Sequence, residues 1–143
     1  MERVGRYRDK LNLISKRAEE IEKWIMGYTR EKFVGDEKTK LAVYKAFQEI
    51  VEAEMDVIAM ICKDSGLAPK DDYTNIEALE DNGIIDEGMK SFLIGSNGLR
   101  NRLVHLYNKL DDVIAFKGIK ELMHVPRAFV KMVEGWIAAK LRK

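Results

Sequence analysis

The run Arg100-Asn101-Arg102-Leu103-Val104-His105-Leu106-Tyr107 gathers the side chains best suited to chemistry in this chain. His105 can exchange a proton near neutral pH. Arg100 and Arg102 carry fixed positive charge on a planar fork of donors that suits an anion. From Ser91 to Leu110 the only charged residues are Arg100, Arg102 and Lys109, all basic. In a chain of formal net charge +1, that is a local basic island. The same residues also admit plain structural readings. A single histidine beside apolar neighbours often only packs, and an arginine on a helix is usually solvated. Tyr107 could be core among Leu99, Leu103, Leu106 and Leu110.

Other chemistries have little to build on. The chain has two histidines, His105 and His124, and no His-Glu-x-x-His motif, so a histidine-rich metal site is not expected. Cys62 is the only cysteine, which rules out an intrachain disulfide and a cysteine-based zinc site. No glycine-rich phosphate loop ending in Lys-Ser/Thr occurs. Gly95-Ser96-Asn97-Gly98 lacks the spacing of a nucleophile elbow. Carboxylates abound, but at the spacing of ordinary solvated faces.

Helix geometry sorts the basic run. At about 100° per residue, Tyr107 lies roughly 20° from Arg100, and His105 roughly 140° from it. Asn101, His105 and Asn108 form a neighbouring stripe. Arg100 and His105 therefore flank one groove only if the arginine leans across, or if a second copy of the helix supplies the other half.

The elements that must position this run are helical. Tyr7, Leu11, Ile14, Ala18, Ile21, Ile25 and Tyr28 recur at steps of four and three, which predicts a long first helix ending near Gly27–Arg30. Asp36 can cap a second helix, whose stripe is Tyr44, Phe47, Val51, Met55, Ile58 and Cys62, widened by Ile50, Val57 and Ile61. Ser65-Gly66 closes it, with Pro69 beyond. Asp71 to Glu87 is acidic, without a lysine or arginine, and predicts a short helix at Tyr73–Asp81 closed by Asn82-Gly83. The motif helix runs from about Asp86 to Lys109. Its uncharged middle holds Gly95 and Gly98, which imply a bend or a close backbone approach, either in a tightly packed internal helix or at a subunit interface. Asp111-Asp112 can cap a last helix that Pro126 kinks or splits. The expected architecture is an all-α antiparallel bundle of four main helices plus a short one, in a single domain over residues 1–143.

Together, the motif and the elements around it resemble the HepT-like family of the HEPN superfamily. The basic run fits that family's Arg-x4-His-x-Tyr motif. The Glu31-Lys32-Phe33-Val34-Gly35-Asp36 junction and the acidic helix ending in Asn82-Gly83-Ile84-Ile85 fit it as well. The resemblance implies the toxin of a two-gene toxin–antitoxin system, an endoribonuclease that needs no metal or other cofactor and works as a homodimer or higher assembly. Its partner would be a minimal nucleotidyltransferase antitoxin, MntA. By that resemblance Arg100 and His105 are the catalytic pair, Asn101 supports them, and Tyr107 accepts AMP from the antitoxin. Arg102 and Lys109 are candidate contacts to RNA phosphates.

Composition frames these expectations. With 46% hydrophobic and 34% charged residues, the chain reads as a helical globular protein. The small net charge excludes a uniformly basic nucleic-acid binder but not a local patch. No apolar run approaches a membrane span, and Met1 to Lys10 lacks the apolar core of a secretory signal. A lone thiol fits a reducing cytosol, so a cytoplasmic location is expected. Two other classes compete with the nuclease. One is a non-catalytic helical module that binds nucleotide or substrate for a nucleotidyltransferase. The other is a bundle that only dimerises.

Overall fold

The computed structural model describes residues 2–105 and 110–141. Among them the chain forms seven helices and no strand: α1 (Glu2–Trp24), α2 (Arg30–Gly35), α3 (Glu37–Asp64), α4 (Asp72–Asp81), α5 (Glu87–His105), α6 (Asp112–Leu122) and α7 (Val125–Lys140).

Short polar residues start most of these helices. Thr29 accepts from the Lys32 amide, Asp36 from Thr39, Asp71 from Thr74, Asp86 from Met89, and Asp111 from Val113 and Ile114. Each bond satisfies an amide that the helix leaves without a partner, and such a cap is worth about 1 kcal/mol. Gly66 and Gly83 stop α3 and α4 at φ of 81° and 71°, a region that L side chains avoid.

The expected stripes meet in one core. On α1, Tyr7, Leu11, Ile14, Ala18 and Ile21 are buried. They face α3, which buries Phe47, Ile50, Val51, Val57, Ile58, Ile61 and Cys62. Tyr7 donates to Asp64 at 2.6 Å and Arg17 to Glu49 at 2.6 Å, so the partners run in opposite senses along the two helices. This antiparallel pair is the spine of the fold. Helix α7 closes over α1, with Trp136 tilted against Tyr7 at 5.7 Å between ring centres.

Two details depart from the sequence expectation. Helix α1 stops at Trp24, short of Gly27, and a turn covers the remaining residues. The junction before Asp36 is itself a short helix, α2, because Phe33 has a slot to fill: its ring stacks on Phe116 at 4.5 Å and meets Tyr44 edge-on at 5.8 Å. The last helix is split near Pro126, one of the two outcomes expected there. Pro126 lies in the first turn of α7, where its missing amide costs nothing.

Candidate active site

Helix α5 carries the motif from Arg100 to His105. Leu93, Ser96, Asn97, Leu99 and Leu103 form its buried face, and Arg100 lies at the edge of that face. The Gly95 and Gly98 region neither bends the helix out of α geometry nor brings another backbone close. A methyl group at Gly95 would meet only Leu122 at 3.9 Å, and one at Gly98 only the Arg102 guanidinium at 3.9 Å. The flanking Phe92 and Ile94 are exposed, so this stretch is not wholly internal.

Arg100 is not a solvated arginine. Its side chain is 17% exposed and meets acceptors from three helices. Nη2 donates to the Asn97 side-chain oxygen at 2.9 Å, one turn back on α5, and to Asp72 at 3.4 Å. Nη1 donates to Glu52 at 3.5 Å. Glu52 is held in turn by Gln48, whose amide donates to the same carboxylate oxygen at 3.1 Å. The Arg100 Nε–H is buried without an acceptor among the described residues. The guanidinium is thus fixed between mid-α3, the first turn of α4 and its own helix.

This overturns the basic island as a spatial statement. Linear sequence places Arg100 among neutral and basic neighbours, but folding brings two carboxylates onto it. The acidic α4 lies against α5, so that Asp72 faces Arg100 and Glu80 accepts from Lys90 at 3.1 Å. Among the described residues, two carboxylates meet the one Arg100 guanidinium.

His105 ends the described part of α5 and is exposed. It lies about 140° round the helix from Arg100 and about 7.5 Å further along it. Asn101 is half-buried, and Arg102 is exposed. Tyr107 and Lys109 fall outside the described residues. Arg100 and His105 do not share one line on the helix, which is the relation that the residue spacing implied.

The chain beyond the motif is bolted to α3. Asp112, the first residue of α6, accepts from Tyr44 at 2.5 Å and from Lys40 at 2.9 Å. Burial and the Asp112 carboxylate push the Tyr44 phenol well above its ordinary range. Bonding to Asp112 and Glu37 raises Lys40. The second histidine, His124, is exposed outside the motif, with Phe92 edge-on at 4.5 Å. No group of three or more His, Cys, Asp or Glu residues is placed to hold a metal ion among the described residues. No described helix is long and apolar enough to cross a membrane.

Comparisons with known proteins bear on this geometry. A family model described as Ribonuclease HepT-like matches residues 14–133. A protein of Archaeoglobus fulgidus with the provisional name of RNase is 33% identical over 132 residues, covering 92% of this chain and 94% of its own. The protein of Aphanizomenon flos-aquae named tRNA nuclease HepT is 27% identical over 140 residues, covering 96% of this chain and 86% of its own. Among solved structures, the tri-AMPylated HEPN toxin of Shewanella oneidensis, in complex with its MNT antitoxin, superposes with a TM-score of 0.82 at 21% identity. That match covers 91% of this chain and 97% of the toxin. The helical bundle, Arg100 and His105 on α5 and a family match over most of the sequence agree: this chain belongs to the HepT-like family.

Proposed function

We propose that the chain is the toxin of a toxin–antitoxin pair, an endoribonuclease that cuts RNA through Arg100 and His105 without a metal ion. The observation that carries this reading is the pairing on α5 of an anchored arginine with an exposed histidine at the motif's spacing. Family membership gives that pairing its chemical direction.

RNA brings its own nucleophile. The 2′-oxygen attacks the adjacent phosphorus, a new P–O bond forms, and the bond to the 5′-oxygen breaks. The 2′-hydroxyl loses its proton to a base, and the leaving 5′-oxygen gains one. His105 performs one of these transfers, a task for which imidazole is suited near neutral pH. Arg100 stabilises charge on the non-bridging oxygens. Asn101 supports the pair, and Arg102 and Lys109 meet neighbouring phosphates. The products carry a 2′,3′-cyclic phosphate and a 5′-hydroxyl.

A homodimer completes the cleft. One copy leaves Arg100 and His105 on different lines of the helix, and a second copy would bring a complementary pair opposite. The antitoxin is a minimal nucleotidyltransferase that transfers AMP from ATP to the Tyr107 hydroxyl, with pyrophosphate leaving. The tri-AMPylated relative supports this part of the reading.

The test is cleavage of bulk transfer RNA by the purified chain in EDTA. Cleavage should persist, and should fall by about a hundredfold or more in both Arg100→Ala and His105→Ala. An unaltered rate in His105→Ala would sink the proposal. The acid cage on Arg100 favours a second reading, a non-catalytic module in which Arg100 is structural. That reading expects the chain to bind its nucleotidyltransferase partner and cut no RNA.

A further inference from the structure

The structure assigns Glu52 and Asp72 as positioning residues for Arg100. This inference rests on the nuclease reading above and adds two residues that lie outside the motif. They come from different helices, α3 and α4, and converge on one guanidinium.

The geometry argues for positioning over casual contact. An arginine that stabilises a transition state works only if its donors wait where charge develops. A free arginine side chain has several rotamers to lose when it is held in one place. Here that freedom is removed before substrate arrives. Asn97, itself buried, accepts from Nη2 at 2.9 Å, while Asp72 on α4 accepts from Nη2 at 3.4 Å and Glu52 on α3 accepts from Nη1 at 3.5 Å. Gln48 fixes Glu52 as well, so this carboxylate is not a loose partner. Asp72 follows directly on Asp71, the N-cap of α4, so the start of that helix sets its place.

The arrangement has an electrostatic cost that makes the role testable. Two carboxylates beside one guanidinium repel an incoming phosphodiester. Residues kept only for binding RNA would not be acids. Removing either charge should help RNA to bind while it loosens the arginine. A positioning role therefore predicts a split: kcat falls, and KM stays level or drops.

The experiment measures kcat and KM for bulk transfer RNA with the full chain and with Glu52→Gln, Asp72→Asn and the double variant. Both single changes are nearly isosteric, and thermal melts identify any variant that is not folded at the assay temperature. If one fails, the other carries the test. The expected result is a fall in kcat of about tenfold in each single variant and more in the double, without a rise in KM. The charge-conserving Asp72→Glu should recover part of the loss. Arg100→Ala, run alongside, separates this inference from the one beneath it. If Arg100→Ala cuts at the normal rate, the nuclease reading fails. If Arg100→Ala is inactive while the carboxylate variants keep kcat or gain it, the positioning role is overturned and the acids act as a brake or as bystanders.

Discussion

Tyr44 donates its phenolic hydrogen to Asp112 at 2.5 Å, fastening the first turn of α6 to α3 immediately beyond the motif segment. Lys40 reaches the other oxygen of the same carboxylate at 2.9 Å. Both donors are largely buried, and they lie one helical turn apart on α3. The knot fixes the start of α6 against α3.

Tyr44→Phe should therefore destabilise the protein by about 1–3 kcal/mol, the range for a bond to a charged acceptor. Equilibrium urea unfolding measures it. The phenyl ring keeps its edge contact with Phe33, so the loss isolates the hydroxyl. A change within error would mean that Lys40 alone holds Asp112.

Glu54 makes a prediction of a different kind. Both carboxylate oxygens are buried in the middle of α3 without a hydrogen-bond partner among the described residues. Burial pushes its pKa up to about 8. An unfolded glutamate titrates near 4.3. Between those values the native state holds a proton that the unfolded state lacks, so this group makes stability fall as pH rises from about 5 to about 8. Glu54→Met keeps the volume and removes the charge. The variant should melt higher than the parent at about pH 8, and its advantage should shrink toward about pH 5. A pH-independent difference between the two proteins would refute the assignment.

Gly95 and Gly98 can be tested for their role outside the single chain. Inside it, nothing requires glycine: both have ordinary helical backbone and room for a methyl group. Gly95→Ala and Gly98→Ala should each stabilise an isolated chain by about 0.5–1 kcal/mol. If this face packs against a second copy, the same variants should weaken self-association in analytical ultracentrifugation. A melting temperature that rises with the assembly unchanged would remove this stretch from the interface.

The chain shows how far a linear reading carries. Periodicity located the buried stripes of α1 and α3, and cap chemistry located the starts at Asp36 and Asp111, because those signals lie within one or two turns of sequence. It also separated Arg100 from His105 around α5, since helical phase is local. What it missed is the partnership of distant charges. The acidic stretch from Asp71 and the basic run from Arg100 were each legible, but their docking depends on how α4 packs on α5. Glu52 gave no signal at all: it lies on a helix rich in acids, and only the α3–α5 contact, 48 residues across the sequence, gives it a role. Phe33 likewise fills a slot built by Tyr44 on α3 and Phe116 on α6, which its own segment does not show.

Under the proposed function, Tyr107 would join these charges to regulation. It stands two residues beyond His105, and each AMP attached to its hydroxyl adds a phosphodiester anion to the motif. The surroundings of Arg100 already hold two carboxylates against one guanidinium. A further anion would compete for Arg100 and repel RNA, so modification should act mainly on substrate binding. Co-expression with an active minimal nucleotidyltransferase should add mass in multiples of AMP and silence cleavage of bulk transfer RNA. Tyr107→Phe should gain no mass and remain active under the same conditions. It should also cut RNA at close to the parent rate without the partner, because the proposed role of the hydroxyl is control and not proton transfer. Mass added to Tyr107→Phe would move the acceptor elsewhere, and an inactive but unmodified Tyr107→Phe would place the tyrosine in the chemistry itself.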